Sequence, residues 1–78
     1  MSTQRTLRLG FRGEDVAKVQ RGLNQAASNF PRLSADGIYG QKTARRAQEF
    51  QRQNNLVPDG IVGPNTWKSI TAALTSTS

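Results

Sequence analysis

Residues 36–43 read DGIYGQKT and residues 59–66 read DGIVGPNT, so one eight-residue pattern occurs twice, with Asp36 and Asp59 lying 23 positions apart. Asp, Gly, Ile, Gly and Thr recur at the same offsets. An aspartate can accept a hydrogen bond from the backbone two residues on, and the glycine beside it can take positive φ, so each copy predicts a tight turn. The isoleucine that follows is expected to turn inward. Because five shared positions are hard to attribute to coincidence, we expect two equivalent turns held against one core.

Each copy is also expected to start a helix. Gly40 and Gly63 are acceptable N-cap residues, and Pro64 suits the first position of a helix. The threonines then fall in the first helical turn, where a hydroxyl bonds nearby backbone groups. For the aspartates, turn formation is favoured over a catalytic carboxylate pair. The predicted structural residues of the two turns are Asp36, Gly37, Gly40 and Thr43, and Asp59, Gly60, Gly63 and Thr66.

Apolar residues at spacings of three and four predict a first helix, which begins with Glu14 and Asp15 where the helix dipole favours negative charge. Gly22 lies inside this helix at a cost of about 1 kcal/mol relative to alanine, which indicates close packing there. The helix is expected to end at residues 28–29, before Pro31. Its apolar face comprises Val16, Val19, Leu23, Ala26 and Phe30.

Two further helices are predicted, from about Gln41 to Gln53 and from Pro64 onward. Their apolar faces are Ala44, Ala47 and Phe50 on the second helix, and Trp67, Ile70 and Leu74 on the third. The sequence therefore predicts an all-α fold, a compact three-helix bundle with two D-G-x-x-G-x-x-T turns. Residues 38–39 and 61–62 are long enough only for a minimal two-stranded β pairing with each other.

The composition excludes several kinds of site. The 78 residues include no cysteine and no histidine, which rules out disulfides, thiolate or imidazole metal sites, and catalysis by a nucleophile with histidine. We expect no metal and no cofactor. Eleven Lys and Arg against five Asp and Glu give a net charge of +6, which favours a polyanionic partner or only keeps a small domain soluble.

Taken in order along the chain, these residues resemble the peptidoglycan-binding module of the widespread three-helix type. The doubled D-G-x-x-G-x-x-T, the Phe50-Gln51 pair between its copies and Thr66-Trp67 at the end fall in the order and spacing of that family. The other positions that carry the resemblance are Leu9-Gly10, Gly13, Asp15-Val16, Val19-Gln20, Leu23, Ala44, Ala47, Leu56 and Ile70.

The resemblance covers nearly the whole chain. Residues 7–74 are expected to form the module, with a flexible N-terminus at residues 1–6 and a linker-like tail at residues 75–78. One departure is Asn55, since members often have glycine before the leucine that corresponds to Leu56. Asparagine can take the same left-handed conformation, so we expect this turn to survive.

The resemblance implies a noncatalytic module that binds peptidoglycan and holds an attached amidase, muramidase, transglycosylase or carboxypeptidase on its polymer. We expect this module to be a monomer. Tethering raises the local concentration of substrate, so weak affinity is enough. The N-terminal sequence MSTQRTLRLGFRG has no apolar run like that of a secretory signal or membrane span, so no membrane insertion is expected. We expect the N-terminal targeting domain of a larger hydrolase, such as a phage endolysin. It would act at the bacterial cell wall or periplasm, delivered by its parent protein or by phage lysis machinery.

Side chains at the two turns are the expected ligand contacts. Peptidoglycan offers sugar faces, N-acetyl groups and stem-peptide carboxylates, which aromatic, amide and basic side chains match. If the turns lie side by side, these side chains would line one shallow groove. Lys42 and Arg46 lie four residues apart, and an anion between them would offset their repulsion. The predicted ligand-binding residues are Tyr39, Gln41, Lys42, Arg46, Gln51, Asn65 and Trp67.

Other interpretations remain. Helical spacing favours core packing over ligand contact for Trp67, and Tyr39 is balanced between the two. A small basic helical nucleic-acid-binding domain is the main alternative, because the second helix carries four cations. The third helix carries only Lys68, however, and the doubled turns have no role in that scheme, so we expect no nucleic acid. A glycosidase needs two carboxyl groups, and all five here have structural explanations, so no catalytic residue is expected. Docking of another protein on Trp67 or Tyr39 stays open.

Overall fold

The computed structural model describes residues 5–26 and 32–75, which form three helices around one core. The helices are α1 (Glu14–Ala26), α2 (Gln41–Gln53) and α3 (Pro64–Thr75). The predicted all-α three-helix class is confirmed, and all three helices begin where predicted. The predicted end of the first helix and its Phe30 lie outside the described residues. No helix in the described ranges is long and apolar enough to span a bilayer.

The core is built from most of the predicted apolar faces together with residues of the turns and the N-terminal segment. Its buried members are Leu7, Val16, Val19, Leu23, Tyr39, Ala47, Phe50, Val62, Trp67 and Ile70. The prediction that the isoleucine of each turn points inward is wrong for Ile38, which is 44% exposed. At Gly22, α1 approaches α3 so closely that a Cβ atom would lie 2.5 Å from Ile70 Cγ2. A close-packed interior has no room for that atom, so the close packing predicted at Gly22 is confirmed.

The end of α2 depends on a residue in the left-handed conformation. Asn55 has a φ of 59°. Beyond it, the Leu56 N–H donates to the Gln51 carbonyl at 2.8 Å, and this bond closes the helix end. The prediction that this turn survives without glycine is confirmed, because asparagine tolerates positive φ.

Residues 5–13, here called the N-terminal segment, connect both repeated turns. Leu7 and Val62 exchange two backbone hydrogen bonds, of 3.0 and 2.8 Å. Farther along the segment, the Tyr39 N–H donates to the Phe11 carbonyl at 2.9 Å. The segment therefore ties the two turns to one stretch of backbone.

The pairing partners differ from those expected for residues 38–39 and 61–62. These two stretches form isolated bridges with the N-terminal segment, and not with each other, because that segment supplies backbone donors and acceptors to both turns. The contacts extend to Arg5, whose carbonyl accepts a 2.7 Å hydrogen bond from the Trp67 indole. They thus reach into residues 1–6, the part of the chain that the sequence predicts to be flexible.

Candidate functional site

The side-chain amide of Gln20, on α1, binds the first turn. Its Nε2 donates to the Ile38 carbonyl at 2.9 Å, to Thr43 Oγ1 at 3.0 Å and to Asp36 Oδ1 at 3.2 Å. Its Oε1 accepts a 3.0 Å bond from the Gly37 N–H. Gln20 is 1% exposed. Its buried amide therefore joins α1 to the first repeated turn and to the N-terminal end of α2.

The side-chain amide of Gln51, on α2, makes the same network at the second turn. Its Nε2 donates to the Ile61 carbonyl at 2.8 Å, to Thr66 Oγ1 at 3.1 Å and to Asp59 Oδ1 at 3.1 Å. Its Oε1 accepts a 2.9 Å bond from the Gly60 N–H. The repeat in the sequence is therefore also a repeat in structure, with an amide, an aspartate and a threonine in equivalent places.

The aspartates of both turns accept a bond from the backbone two residues on. The Ile38 N–H donates to Asp36 at 3.0 Å, and the Ile61 N–H donates to Asp59 at 2.9 Å. For Asp36, that backbone bond and then the Gln20 amide hold the pKa below its usual value. This carboxylate stays ionised, whereas the general acid of a glycosidase needs a raised pKa.

A surface cavity lies beside each network. The first-repeat cavity has a volume of about 590 Å³ and the second-repeat cavity one of about 230 Å³. Gln20 and Thr43 line the first, and Gln51 and Thr66 line the second. Seven further lining positions of the first cavity have a counterpart 23 residues later in the second. Four pairs are identical, Leu33 with Leu56, Asp36 with Asp59, Ile38 with Ile61 and Gly40 with Gly63, and three are not: Ser34 with Val57, Gln41 with Pro64, and Lys42 with Asn65.

The two cavities differ in charge. The first-repeat cavity is lined by two cations, Arg32 and Lys42, and by the carboxylate of Asp36. Asp59 is the charged residue that lines the second-repeat cavity. Neither Arg32 nor Lys42 has an ion-pair partner among the described residues. The first-repeat cavity also falls within the range of about 300 to 1,000 Å³ typical of small-ligand sites, and the second is smaller.

Four of the predicted ligand-binding residues are buried, each 9% exposed or less: Tyr39, Arg46, Gln51 and Trp67. Their polar atoms bind inside the protein: the Tyr39 hydroxyl donates to the Gly60 carbonyl at 2.6 Å, and Arg46 Nη2 donates to the Leu23 carbonyl at 3.0 Å. Burial, and secondarily a nearby carboxylate, raises the pKa of Tyr39 well above its ordinary value. These four side chains therefore serve core packing and internal hydrogen bonds, and of the four Gln51 also lines the second-repeat cavity.

The other three predicted ligand residues are exposed but lie in separate places. Gln41 and Lys42 line the first-repeat cavity, and Asn65 lines the second. A further cavity, of about 420 Å³, lies between the start of α1 and the first turn. None of these three cavities is lined by both turns. The Tyr39 hydroxyl bonds to the second turn, and the cavities beside the two turns are separate, where one shared groove was expected.

Gln20 and Arg32 are among the lining residues that sequence reasoning missed. An apolar residue followed by glutamine precedes both turns, as Val19-Gln20 and Phe50-Gln51. The glutamine lies 16 residues before its aspartate in the first repeat but 8 residues before it in the second. A search at one fixed period therefore does not align the two glutamines, although their contacts are equivalent.

Several known proteins are similar to this chain in sequence or in fold. The family described as "Putative peptidoglycan binding domain" matches residues 12–70. The "Probable N-acetylmuramoyl-L-alanine amidase" of Bacillus licheniformis is 37% identical over 67 residues, which are 86% of this chain and 19% of that protein. The Burkholderia AP3 phage endolysin is 45% identical with a TM-score of 0.77, over 88% of this chain and 25% of the endolysin. The SleB N-terminal domain is 27% identical with a TM-score of 0.79, over 94% of this chain and 97% of that domain.

Proposed function

Because the chain belongs to the peptidoglycan-binding domain family, we propose that it binds bacterial cell-wall peptidoglycan as a noncatalytic module. The observation that supports this proposal most directly is the first-repeat cavity, which is lined by the buried amide of Gln20. Gln20 is buried and holds the turn and the start of α2 through four hydrogen bonds, and so the lining residues have a fixed framework before a ligand arrives. Preorganisation of this kind reduces the entropy lost on binding.

The carboxylates support a role in binding without turnover. The Arg5 guanidinium holds the pKa of Asp15 below its usual value, and hydrogen bonds do the same for Asp36. Glu49 pairs with Arg52 at 3.1 Å. We expect no fall in the turbidity of permeabilised cells on adding this chain. A fall that disappears in Glu49→Gln would contradict this expectation.

The relatives suggest the context in which the module works. The chain spans about a fifth of the Bacillus licheniformis amidase and a quarter of the phage endolysin, so both of those proteins contain much more than this domain. We infer that this chain, as a monomer, directs an attached cell-wall hydrolase such as a phage endolysin to the wall or periplasm. A linked catalytic domain would gain effective concentration from even a weak module.

Binding is tested by co-sedimentation with purified sacculi. Ser34→Trp and Val57→Trp place a large ring at equivalent exposed lining positions of the two cavities. Gln53→Trp, exposed on α2 and outside both cavities, is the matched control. We expect the wild type and the control to sediment, and at least one cavity-filling variant to stay in solution. Equal sedimentation of all four proteins would show that the cavities are not the site.

Nucleic acid remains the competing partner because of the net charge of +6. A titration with duplex DNA at several salt concentrations separates the two, since phosphate contacts give a steep salt dependence. Tight duplex binding without sedimentation on sacculi would overturn the proposal.

A further inference from the structure

We propose that the two cavities are subsites of different chemistry, in which the first-repeat cavity binds a carboxylate and the second-repeat cavity binds an uncharged group of the same polymer. This inference depends on the proposed function, because it names the groups of peptidoglycan that each repeat recognises. The carboxylate belongs to the stem peptide, and the uncharged group is an N-acetyl or lactyl group of the glycan. One module would then contact peptide and sugar together.

The two cavities share a framework, and so their differences in chemistry come from the lining residues. The amide Nε2 lies 2.9 Å from the isoleucine carbonyl in the first repeat and 2.8 Å in the second. Its distances to the threonine hydroxyl are 3.0 and 3.1 Å, and the glycine N–H lies 3.0 and 2.9 Å from Oε1. The network holds the turns in the same way in both repeats, and side chains such as Arg32, Lys42 and Asn65 take no part in it. The two cavities therefore differ in the charge of these side chains and not in the framework beneath them.

The cations at the first-repeat cavity favour an anion. Arg32 and Lys42 both line it, and neither has an ion-pair partner in residues 5–26 and 32–75. The opposing charge, Asp36, already accepts two hydrogen bonds at Oδ1, from the Ile38 backbone and the Gln20 amide. The lining therefore carries one positive charge in excess, and guanidinium and ammonium groups are the usual partners of a carboxylate.

The N-terminal end of α2 also favours an anion in the first-repeat cavity, although the proposal depends on the two cations. Its N-cap, Gly40, makes no side-chain cap hydrogen bond, and the helix dipole gives this end a partial positive charge. Gln41, at the first helical position, has a backbone N–H that can donate a hydrogen bond to an anion. In the second repeat Pro64 occupies the equivalent position and has none.

The second-repeat cavity disfavours an anion and suits a small neutral group. Asp59 is its charged lining residue, and a ligand carboxylate would be repelled there. Leu56, Val57 and Pro64 provide apolar contact, and the Asn65 amide can pair with a carbonyl. Its volume of about 230 Å³ suits one substituent better than a sugar with its peptide.

The test compares three soluble probes by calorimetry: a disaccharide tetrapeptide, the same compound with its carboxyl groups amidated, and the peptide-free disaccharide. Arg32→Gln and Lys42→Asn each remove one cation. Lys42→Asn also introduces the residue type found at the equivalent position of the second repeat, Asn65. Arg45→Gln, an exposed cation of α2 outside the cavity, is the control. Because all three positions are exposed, the variants should fold like the wild type, which circular dichroism checks.

We expect amidation of the ligand to weaken wild-type binding, and each cavity variant to weaken binding of the carboxylate form by about fivefold. The amidated form should bind the wild type and both cavity variants equally, and the control should match the wild type. The peptide-free disaccharide should shift the NMR amide resonance of Asn65 and leave that of Lys42 unchanged. Equal affinity for the free and amidated probes, in a protein that sediments with sacculi, would overturn this inference and leave the proposed function intact. Failure to bind both the probes and sacculi would instead overturn the proposed function.

Discussion

Replacing Gln51 by leucine tests whether the buried amide network holds the second turn in place. The leucine keeps most of the volume and removes every polar atom of the side chain. The Gly60 N–H loses its acceptor, and the Thr66 hydroxyl oxygen loses its donor. Gly60 is buried and Thr66 is 5% exposed, so water cannot readily replace the lost amide. The Ile61 carbonyl loses a 2.8 Å bond as well.

The expected loss is large for a domain of this size. Three hydrogen bonds at about 1 kcal/mol each amount to about 3 kcal/mol, and unsatisfied buried groups increase that cost. At about 0.05 to 0.15 kcal/mol per residue, a chain of this length has a total unfolding free energy of about 4 to 12 kcal/mol. Since 1 kcal/mol shifts the Tm of a small domain by about 4 to 8 °C, we expect Gln51→Leu to lower it by about 12 to 24 °C.

The measurement is thermal and urea unfolding followed by circular dichroism, with Gln53→Leu as the control. Gln53 lies on the same helix and is exposed, so the control should change stability by less than about 0.5 kcal/mol. If Gln51→Leu loses no more than Gln53→Leu, the network does not hold the turn, and the structural account of the repeat fails.

A second variant at this position, Gln51→Glu, adds a test by pH. The introduced carboxyl group is buried beside Asp59 and the Ile61 carbonyl, so the folded state favours its protonated form. A carboxyl group whose folded pKa exceeds its unfolded pKa stabilises the fold at low pH and loses that contribution as pH rises through the folded pKa. We therefore expect Gln51→Glu to become less stable relative to the wild type between acidic and neutral pH. A difference that does not change with pH would show that this carboxyl group is solvated.

Three further outcomes follow from other contacts. Gly22→Ala should lose about 1 to 3 kcal/mol in urea unfolding despite the better helix propensity of alanine, because its Cβ would lie 2.5 Å from Ile70 Cγ2. The Tyr39 hydroxyl should show no tyrosinate absorbance near its ordinary pKa of about 10, and Tyr39→Phe should lose about 1 to 2 kcal/mol by removing a buried hydrogen bond. Arg5 lowers the pKa of Asp15, so the ion pair stabilises the fold above the unfolded pKa and is lost as pH falls through the folded one. Asp15→Asn should therefore be less stable than the wild type at neutral pH and equally stable in strong acid.

Each of these outcomes has its own control. Arg21→Ala, one position before Gly22 and exposed, should leave stability nearly unchanged, and a similar loss in both variants would remove the packing argument. Unfolding in urea should return the tyrosine titration to its ordinary range, and a normal titration in the folded protein would contradict its burial. Added salt should reduce the effect of Asp15→Asn, because the pair is partly exposed.

The local pattern predicted the helices well, because helix boundaries depend on neighbouring residues. Pro64 and the glycine before it set the start of α3 through backbone geometry alone. The left-handed turn at Asn55 was likewise predicted, since asparagine tolerates that conformation without help from distant contacts. Gly22 also indicated close packing, although the sequence does not name Ile70 as its neighbour.

The candidate site was predicted less well, because exposure depends on which distant groups a side chain meets. Tyr39 and Trp67 were candidate ligand contacts, and an aromatic ring with one polar atom suits a core or a binding surface equally. The structure buries both, because the Gly60 carbonyl accepts from the Tyr39 hydroxyl and the Arg5 carbonyl, 62 residues from Trp67 in the chain, accepts from its indole.

The sequence by itself determined the repeat, the three helices and the turns that begin two of them, since each rests on residues close together in the chain. Only the tertiary structure decided that a buried glutamine supports each turn, that the Tyr39 hydroxyl bonds to the second turn, and that the two turns line separate cavities. These features require side chains from different helices to meet, and the distance at which they meet is set by packing of the whole core.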